Sequence, residues 1–177
     1  MKRKEIVIVT PALVSANNGN WQTAWRWARF LSADYRLHIT DEWSAGQPGA
    51  DAALMIALHA RRSAAAVAAW HAAFPLRPLV LVLTGTDLYR DIETDAAAQR
   101  SLALAQRLVV LNEAGPARLP PALRDRVTVC LQSATPRRAR PKTPRHLRAL
   151  MVGHLRDEKQ PQIYFDAARA LAHCTDI

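Results

Sequence analysis

Along the first 131 residues, six short blocks are almost wholly apolar. Each is bounded by polar or Gly/Pro-containing turns, and three lead into helical stretches. Glu5 to Thr10 (EIVIVT) is rich in β-branched residues, which suits a strand buried on both faces of a parallel sheet. Asn17-Asn18-Gly19 is a turn signal within the loop from Pro11 to Asn20. Trp21 to Leu31 then predicts a helix, with Trp21, Trp25, Ala28 and Ser32 sharing a face that Trp27 and Leu31 extend. Arg36 to Thr40 predicts a second strand, Glu42 to Ala50 a loop, and Ala53 to His59 a third strand. Ser63 is placed to cap a helix reaching about Ala73, which Pro75 and Pro78 end. Leu79 to Leu83 (LVLVL) is the clearest buried strand, followed by the turn Thr84-Gly85-Thr86-Asp87 and a helix over roughly Thr94 to Ala105. Arg107 to Leu111 and Val127 to Leu131 complete the strands, with a break at Pro116 to Pro121.

Strands that alternate with helical patterns predict βαβ units and a doubly wound parallel sheet, an α/β, Rossmann-like domain over residues 1–132. Residues 133–145 carry three prolines and predict a basic linker. After it, Leu147 to Val152 (LRALMV) predicts a buried strand, Gly153 to Pro161 its loop, and Gln162 to His173 a helix. A parallel strand needs neighbours, and about 30 residues cannot build a domain. Residues 146–177 are therefore expected to be the first βα unit of an incomplete second domain, and the chain a fragment of a longer one.

Composition narrows the class. Of 177 residues 50% are hydrophobic and 22% charged, enough apolar material for a core and too much for a disordered chain. No apolar run approaches the roughly 20 residues of a membrane span. After Met1-Lys2-Arg3-Lys4 only Ile6 to Val9 is apolar, shorter than the roughly 7–15 residues of a secretory core. Cys130 and Cys174 make no disulfide framework and are expected to be free thiols in a reducing cytoplasm. The net charge of +9 is local: Lys2, Arg3, Lys4, Arg137, Arg138, Arg140, Lys142, Arg145 and Arg148 account for all of it, and the other basic residues balance the 15 acidic ones. Charge confined to an end and a proline-containing stretch is a solvated segment, not the basic folded face of a nucleic-acid binder.

The six glycines include no G-x-G pair, so the dinucleotide fingerprint and the Walker A loop are both missing. There is also no zinc-ligand spacing, no G-x-S-x-G elbow and no Asp-x-Asp pair. Asp87, Asp91 and Asp95 fall at i, i+4 and i+8, the spacing of helix-start acids that complement the macrodipole; a divalent-ion site is the other reading. In open α/β sheets ligands bind at the carboxyl ends of the strands, so the loops there carry the candidates. Gly19 and Asn20 open a helix after the first strand, where backbone N–H groups favour an anion or an Asn side chain caps the helix. His59-Ala60-Arg61-Arg62-Ser63 puts two arginines at a helix start, unfavourable unless something negative sits nearby. His59, Arg61, Thr84, Gly85 and Thr86 are thus candidate ligand-binding residues, and Asp87 is the candidate catalytic or substrate-orienting carboxylate. Val152-Gly153-His154-Leu155-Arg156-Asp157-Glu158-Lys159 offers Arg156 and Lys159 to a phosphate group before the last helix.

This arrangement resembles the two-domain GT-B glycosyltransferases. The segments SANNGNWQTAWRWARFL (15–31), ALHARRS (57–63), LVLTGTDLYRDI (81–92) and VGHLRDEKQP (152–161) resemble, more narrowly, the selenosugar synthases of selenoneine biosynthesis. The resemblance spans residues 5–173. It implies glycosyl transfer from UDP-N-acetylglucosamine or UDP-glucose to selenium supplied by selenophosphate, giving a 1-selenosugar without cofactor or metal. It places Lys159 where the family's lysine contacts the donor diphosphate. His154 stands where an arginine often follows the glycine, and Arg156 lies two residues on, so the donor-diphosphate set is His154, Arg156 and Lys159. An anionic acceptor is expected at Arg61, with Arg62 and the Gly19 loop beside it. Rival readings are a glycosyltransferase with an oxygen or sulfur acceptor, a non-catalytic phospho-ligand module, and a nucleic-acid-associated protein using the basic stretch. No membrane span is expected.

Overall fold

The structure, a computed structural model, describes residues 3–16, 18–139, 141, 144–145, 149–153, 155 and 157–174. Lys2, Asn17, Arg140, Lys142, Arg148, His154 and Arg156 therefore lie outside the described residues. The chain divides into two compact units, residues 1–133 and 134–177.

The first unit is built on six parallel strands: β1 (Glu5–Val9), β2 (Arg36–Thr40), β3 (Leu54–Leu58), β4 (Leu79–Leu83), β5 (Arg107–Val110) and β6 (Val127–Val129). Their spatial order is β2-β1-β3-β4-β5-β6. The expected parallel α/β sheet is present, with most boundaries within a residue or two of the pattern. The chain steps from β1 to β2 on one side, then crosses back to β3 on the other. The order therefore reverses between β1 and β3, the place where such sheets open a crevice at their carboxyl edge.

Register turns each face of the sheet into a continuous apolar layer. Val9, Ala57, Leu81 and Leu108 are aligned across four strands, and all four are buried on one face. That face is covered by α2 (Ala64–Ala73), the single turn α3 (Ile92–Thr94) and α4 (Ala96–Leu104), through Ala66, Val67, Trp70, Ile92, Ala98 and Leu102. Trp70 meets Trp43 and Phe74 edge-on, with ring centroids 5.1 and 5.2 Å apart, a favoured aromatic geometry. On the other face Ile6, Ile8, Ile56, Leu58 and Val82 pack against Ala24 and Ala28 of α1 (Gly19–Leu31).

The buried face of α1 differs from its sequence pattern. Thr23, Ala24 and Ala28 are buried and Trp27 and Leu31 pack beside them, whereas Trp25 stays 47% exposed. Trp21 and Trp25 stack on each other instead, 6.0 Å apart. Small residues let the helix lie close to the sheet, and the indoles shield one another at its flank. Beyond β6 the chain returns toward α1, where the Gln132 amide donates to Thr23 Oγ1 at 3.1 Å.

The second unit holds a 3-10 turn (Asp157–Lys159) and α5 (Pro161–Ala170), which has no buried residue. The strand expected over 147–152 is not formed by its described part: residues 149–152 join no strand ladder. A parallel strand is held by ladder hydrogen bonds, and no described segment of this unit supplies a partner. Among the described residues, no helix is long and apolar enough to cross a membrane.

Gly115 follows β5 so closely that a Cβ added there would lie 2.7 Å from Val110 Cβ. Gly115→Ala should destabilise the first unit by about 1–3 kcal/mol through overpacking, read as a lowered denaturation midpoint.

Candidate functional site

The loops leaving β3 and β4 form one hydrogen-bonded assembly at the carboxyl edge of the sheet. Its centre is Asp87, the first residue of a π-helical turn (Asp87–Asp91), and it is fully buried. Asp87 Oδ1 accepts from the backbone N–H groups of Thr84 (3.0 Å) and Gly85 (2.9 Å). Its Oδ2 accepts from Ala60 N–H at 2.9 Å. One carboxylate thus ties the β4 loop to itself and to the β3 loop. Gly85 has φ +152°, a conformation that favours glycine, and that turn brings its N–H onto the carboxylate. Enclosed by backbone donors, Asp87 holds the β3 and β4 loops together in this structure.

His59, the residue after β3, has φ +73°. That left-handed conformation is uncommon for a side-chain-bearing residue and costs about 1–3 kcal/mol. Ser63 helps hold it: its hydroxyl donates to the Leu58 carbonyl at 2.6 Å instead of capping α2 as expected. The imidazole is buried, with Nε2 3.2 Å from Thr86 Oγ1. Arg62 N–H points at Nδ1 from 3.4 Å, which assigns the ring proton to Nε2. Burial pushes the imidazole below its ordinary value of 6.5, outweighing the pull of Asp87 the other way, so His59 is neutral at pH 7. Asp87 Oδ2 and Asp91 Oδ2 each lie 4.0 Å from a ring nitrogen, too far for a hydrogen-bonded His–carboxylate dyad.

The negative group expected beside Arg61 is inside the protein. Arg61 Nε donates to Asp91 Oδ2 at 2.9 Å, and Arg90 Nε donates to Asp91 Oδ1 at 3.1 Å. Burial pushes the Asp91 carboxyl up, but the hydrogen bonds and charges of Arg90 and Arg61 outweigh this and hold it below the ordinary carboxylate range. Asp91 and Arg90 are site residues that the sequence did not single out in these roles. The i, i+4 spacing of Asp87 and Asp91 was their signal, and the π-helical turn carries both carboxylates to this cluster. Asp95 does not join them: it caps α4 by accepting from Ala98 N–H at 2.8 Å. Among the described residues no group of three or more His, Cys, Asp or Glu is arranged to hold a metal.

At the end of β1, Asn18 caps α1 by accepting from Trp21 N–H at 3.1 Å. Gly19 is exposed and Asn20 half-buried in the first turn. In the second unit, Lys159 is exposed in the 3-10 turn just before α5. His154 and Arg156 lie outside the described residues. Compared with protein-family models and with curated proteins, the chain matches none.

Two outcomes follow from these contacts. Asp87→Asn replaces an acceptor oxygen with an amide donor and leaves at least one buried N–H unpaired; unfolding in urea should show a loss of about 1–3 kcal/mol. Because folding lowers the His59 pKa, the unfolded chain takes up that proton more readily. The stability it contributes is complete above pH 6.5 and is lost as the pH falls from there toward the folded value. His59→Asn, which tolerates the left-handed backbone, should flatten that part of the stability profile.

Proposed function

We propose that the chain belongs to a GT-B glycosyltransferase that moves a sugar from UDP-N-acetylglucosamine or UDP-glucose to selenium from selenophosphate, forming a 1-selenosugar. The first unit is the acceptor side, and the second begins the donor side. The observation that carries this reading is the half-exposed Arg61 guanidinium, anchored on buried Asp91 where the loops leaving β3 and β4 meet at the carboxyl edge of the sheet, beside a hydroxyl-bearing loop. The motif resemblance over residues 5–173 supplies the choice of donor and acceptor.

In this mechanism the selenium of selenophosphate attacks the anomeric carbon. The C1–Se bond forms as the C1–O bond breaks, and the electron pair leaves with UDP. Water then takes the phosphoryl group from selenium, releasing phosphate and the selenosugar. A selenium nucleophile is already anionic, so no strong general base is needed, in keeping with a neutral His59 that has no carboxylate in hydrogen-bond contact. Rate enhancement comes from alignment and from positive charge facing the acceptor and the leaving group. Arg61 holds the acceptor, Thr84, Gly85, Thr86 and His59 shape its pocket with Gly19 and Asn20 alongside, and Asp87 fixes those loops. Lys159, with His154 and Arg156, serves the leaving diphosphate.

The test is a mass-spectrometric assay of the full-length protein with UDP-N-acetylglucosamine and fresh selenophosphate. A product with the selenium isotope pattern, together with released UDP, is expected; transfer only to oxygen or sulfur acceptors would overturn the selenium assignment. Arg61→Ala should raise the acceptor KM about tenfold or more with little change in donor KM, the loss expected for one charge-assisted contact.

A further inference from the structure

We propose that Thr86 is a donor-only hydroxyl: His59 occupies its oxygen from inside the protein, and its O–H is held for an acceptor oxygen of a phosphate-type substrate. This rests on the reading that the carboxyl edge of the sheet receives such a substrate. It makes Thr86 a contacting residue of fixed polarity and His59 a positioning residue that acts through it.

A hydroxyl can donate or accept, and its neighbours decide which sense is left for a ligand. One chain of hydrogen bonds decides it here. Arg62 N–H donates to His59 Nδ1 at 3.4 Å. A neutral imidazole whose Nδ1 accepts carries its proton on Nε2. Nε2 lies 3.2 Å from Thr86 Oγ1, so the ring donates and the hydroxyl oxygen accepts. The hydroxyl proton then has to point away from the ring. Among the described residues Thr86 Oγ1 has no other hydrogen-bond partner. Thr86 is half-buried and keeps some surface open to solvent. Its proton is the unassigned end of the chain, and a ligand that meets it has to offer an acceptor.

The surroundings keep this order from reversing. His59 is buried at a left-handed φ of +73°, with the Ser63 hydroxyl on the Leu58 carbonyl beside it. Asp87 Oδ2 and Asp91 Oδ2 stand 4.0 Å from Nδ1 and Nε2, beyond hydrogen-bond reach, so neither takes the Nε2 proton from Thr86. The backbone on both sides of Thr86 is fixed, because Gly85 N–H donates to the Asp87 carboxylate at 2.9 Å. Protonating the ring keeps the sense too, since an imidazolium still carries the Nε2 proton. Hydrogen bonds in series polarise one another, which makes an O–H whose oxygen already accepts a stronger donor. The oxygens of an ionised phosphate-type group only accept, so they match it. In the selenium-transfer reading Thr86 holds a phosphoryl oxygen and leaves the selenium free for the anomeric carbon.

Two measurements on the full chain test this. Ring-nitrogen NMR spectra, with the His59 signals identified by their loss in H59G, should show a protonated Nε2 and a bare Nδ1. Glycine accepts the left-handed backbone and removes the ring. The opposite tautomer would overturn the proposal, because Thr86 would then donate to the ring and keep no proton for a ligand. Calorimetric titration with thiophosphate, a stable stand-in for selenophosphate, compares wild type, T86V, T86S, H59G and the H59G/T86V double variant. Thermal melting shows that each is folded. T86V should weaken thiophosphate binding about tenfold, and T86S should bind it like wild type. H59G should weaken binding where Thr86 is present and have no further effect beside T86V, whereas a purely structural His59 would cost the same in both backgrounds. If H59G does not fold, H59N replaces it in the cycle and in the ring assignment. T86V binding thiophosphate as tightly as wild type, or wild type binding none, would overturn the donor even if selenosugar is still made. Thr86-dependent thiophosphate binding in a protein that transfers no sugar would uphold the donor and remove the glycosyltransferase reading.

Discussion

A buried carboxylate must be matched by donors at every oxygen or it destabilises the fold, and Asp87 meets that condition entirely with backbone N–H groups. The match works in both directions. Three amides at the ends of β3 and β4 would otherwise be left without partners where the ladder stops, and one side chain takes all of them. In doing so it fixes the spacing between two adjacent loops that no ladder bond controls. The left-handed turn at His59, the approach of Thr86 to its ring, and the placement of Arg61 all follow from that spacing.

Around this centre the charges are sorted by depth. The carboxylates of Asp87 and Asp91 are inside and the guanidiniums of Arg61 and Arg90 are at the rim. The neutral imidazole is buried at the same depth as the carboxylates. Such a layered site is suited to holding an anion and aligning it, because its fixed dipoles and charges need little reorganisation when charge moves. It is poorly suited to shuttling protons, since the His59 ring is buried and faces a hydroxyl.

The fold was legible to the extent that periodicity governs it. Blocks such as LVLVL at 79–83 can be stable only when covered on both faces, and the structure covers them with α2 and α4 on one side and α1 on the other. Where the pattern misled, the cause lies in packing. The helix stripe through Trp21 and Trp25 pointed to a buried aromatic face, yet Ala24 and Ala28 make the contact, because close approach of α1 to the sheet favours small side chains there. The apolar block at 147–152 has a strand's composition, but its described residues have no neighbouring strand to complete a ladder.

By itself the sequence determined the strands, their parallel arrangement and the loops that carry the candidate chemistry, because these depend on local composition and on the need to bury apolar runs. It marked Arg61 as a charge in search of a partner and Asp87 as the carboxylate of the central loop. Only the tertiary structure decided that the partner is Asp91, shared with Arg90, and that Asp87 faces the backbone. The reason is physical: 30 residues separate Arg61 from Asp91, and their meeting depends on strand pairing and on a π-helical turn that no local propensity encodes.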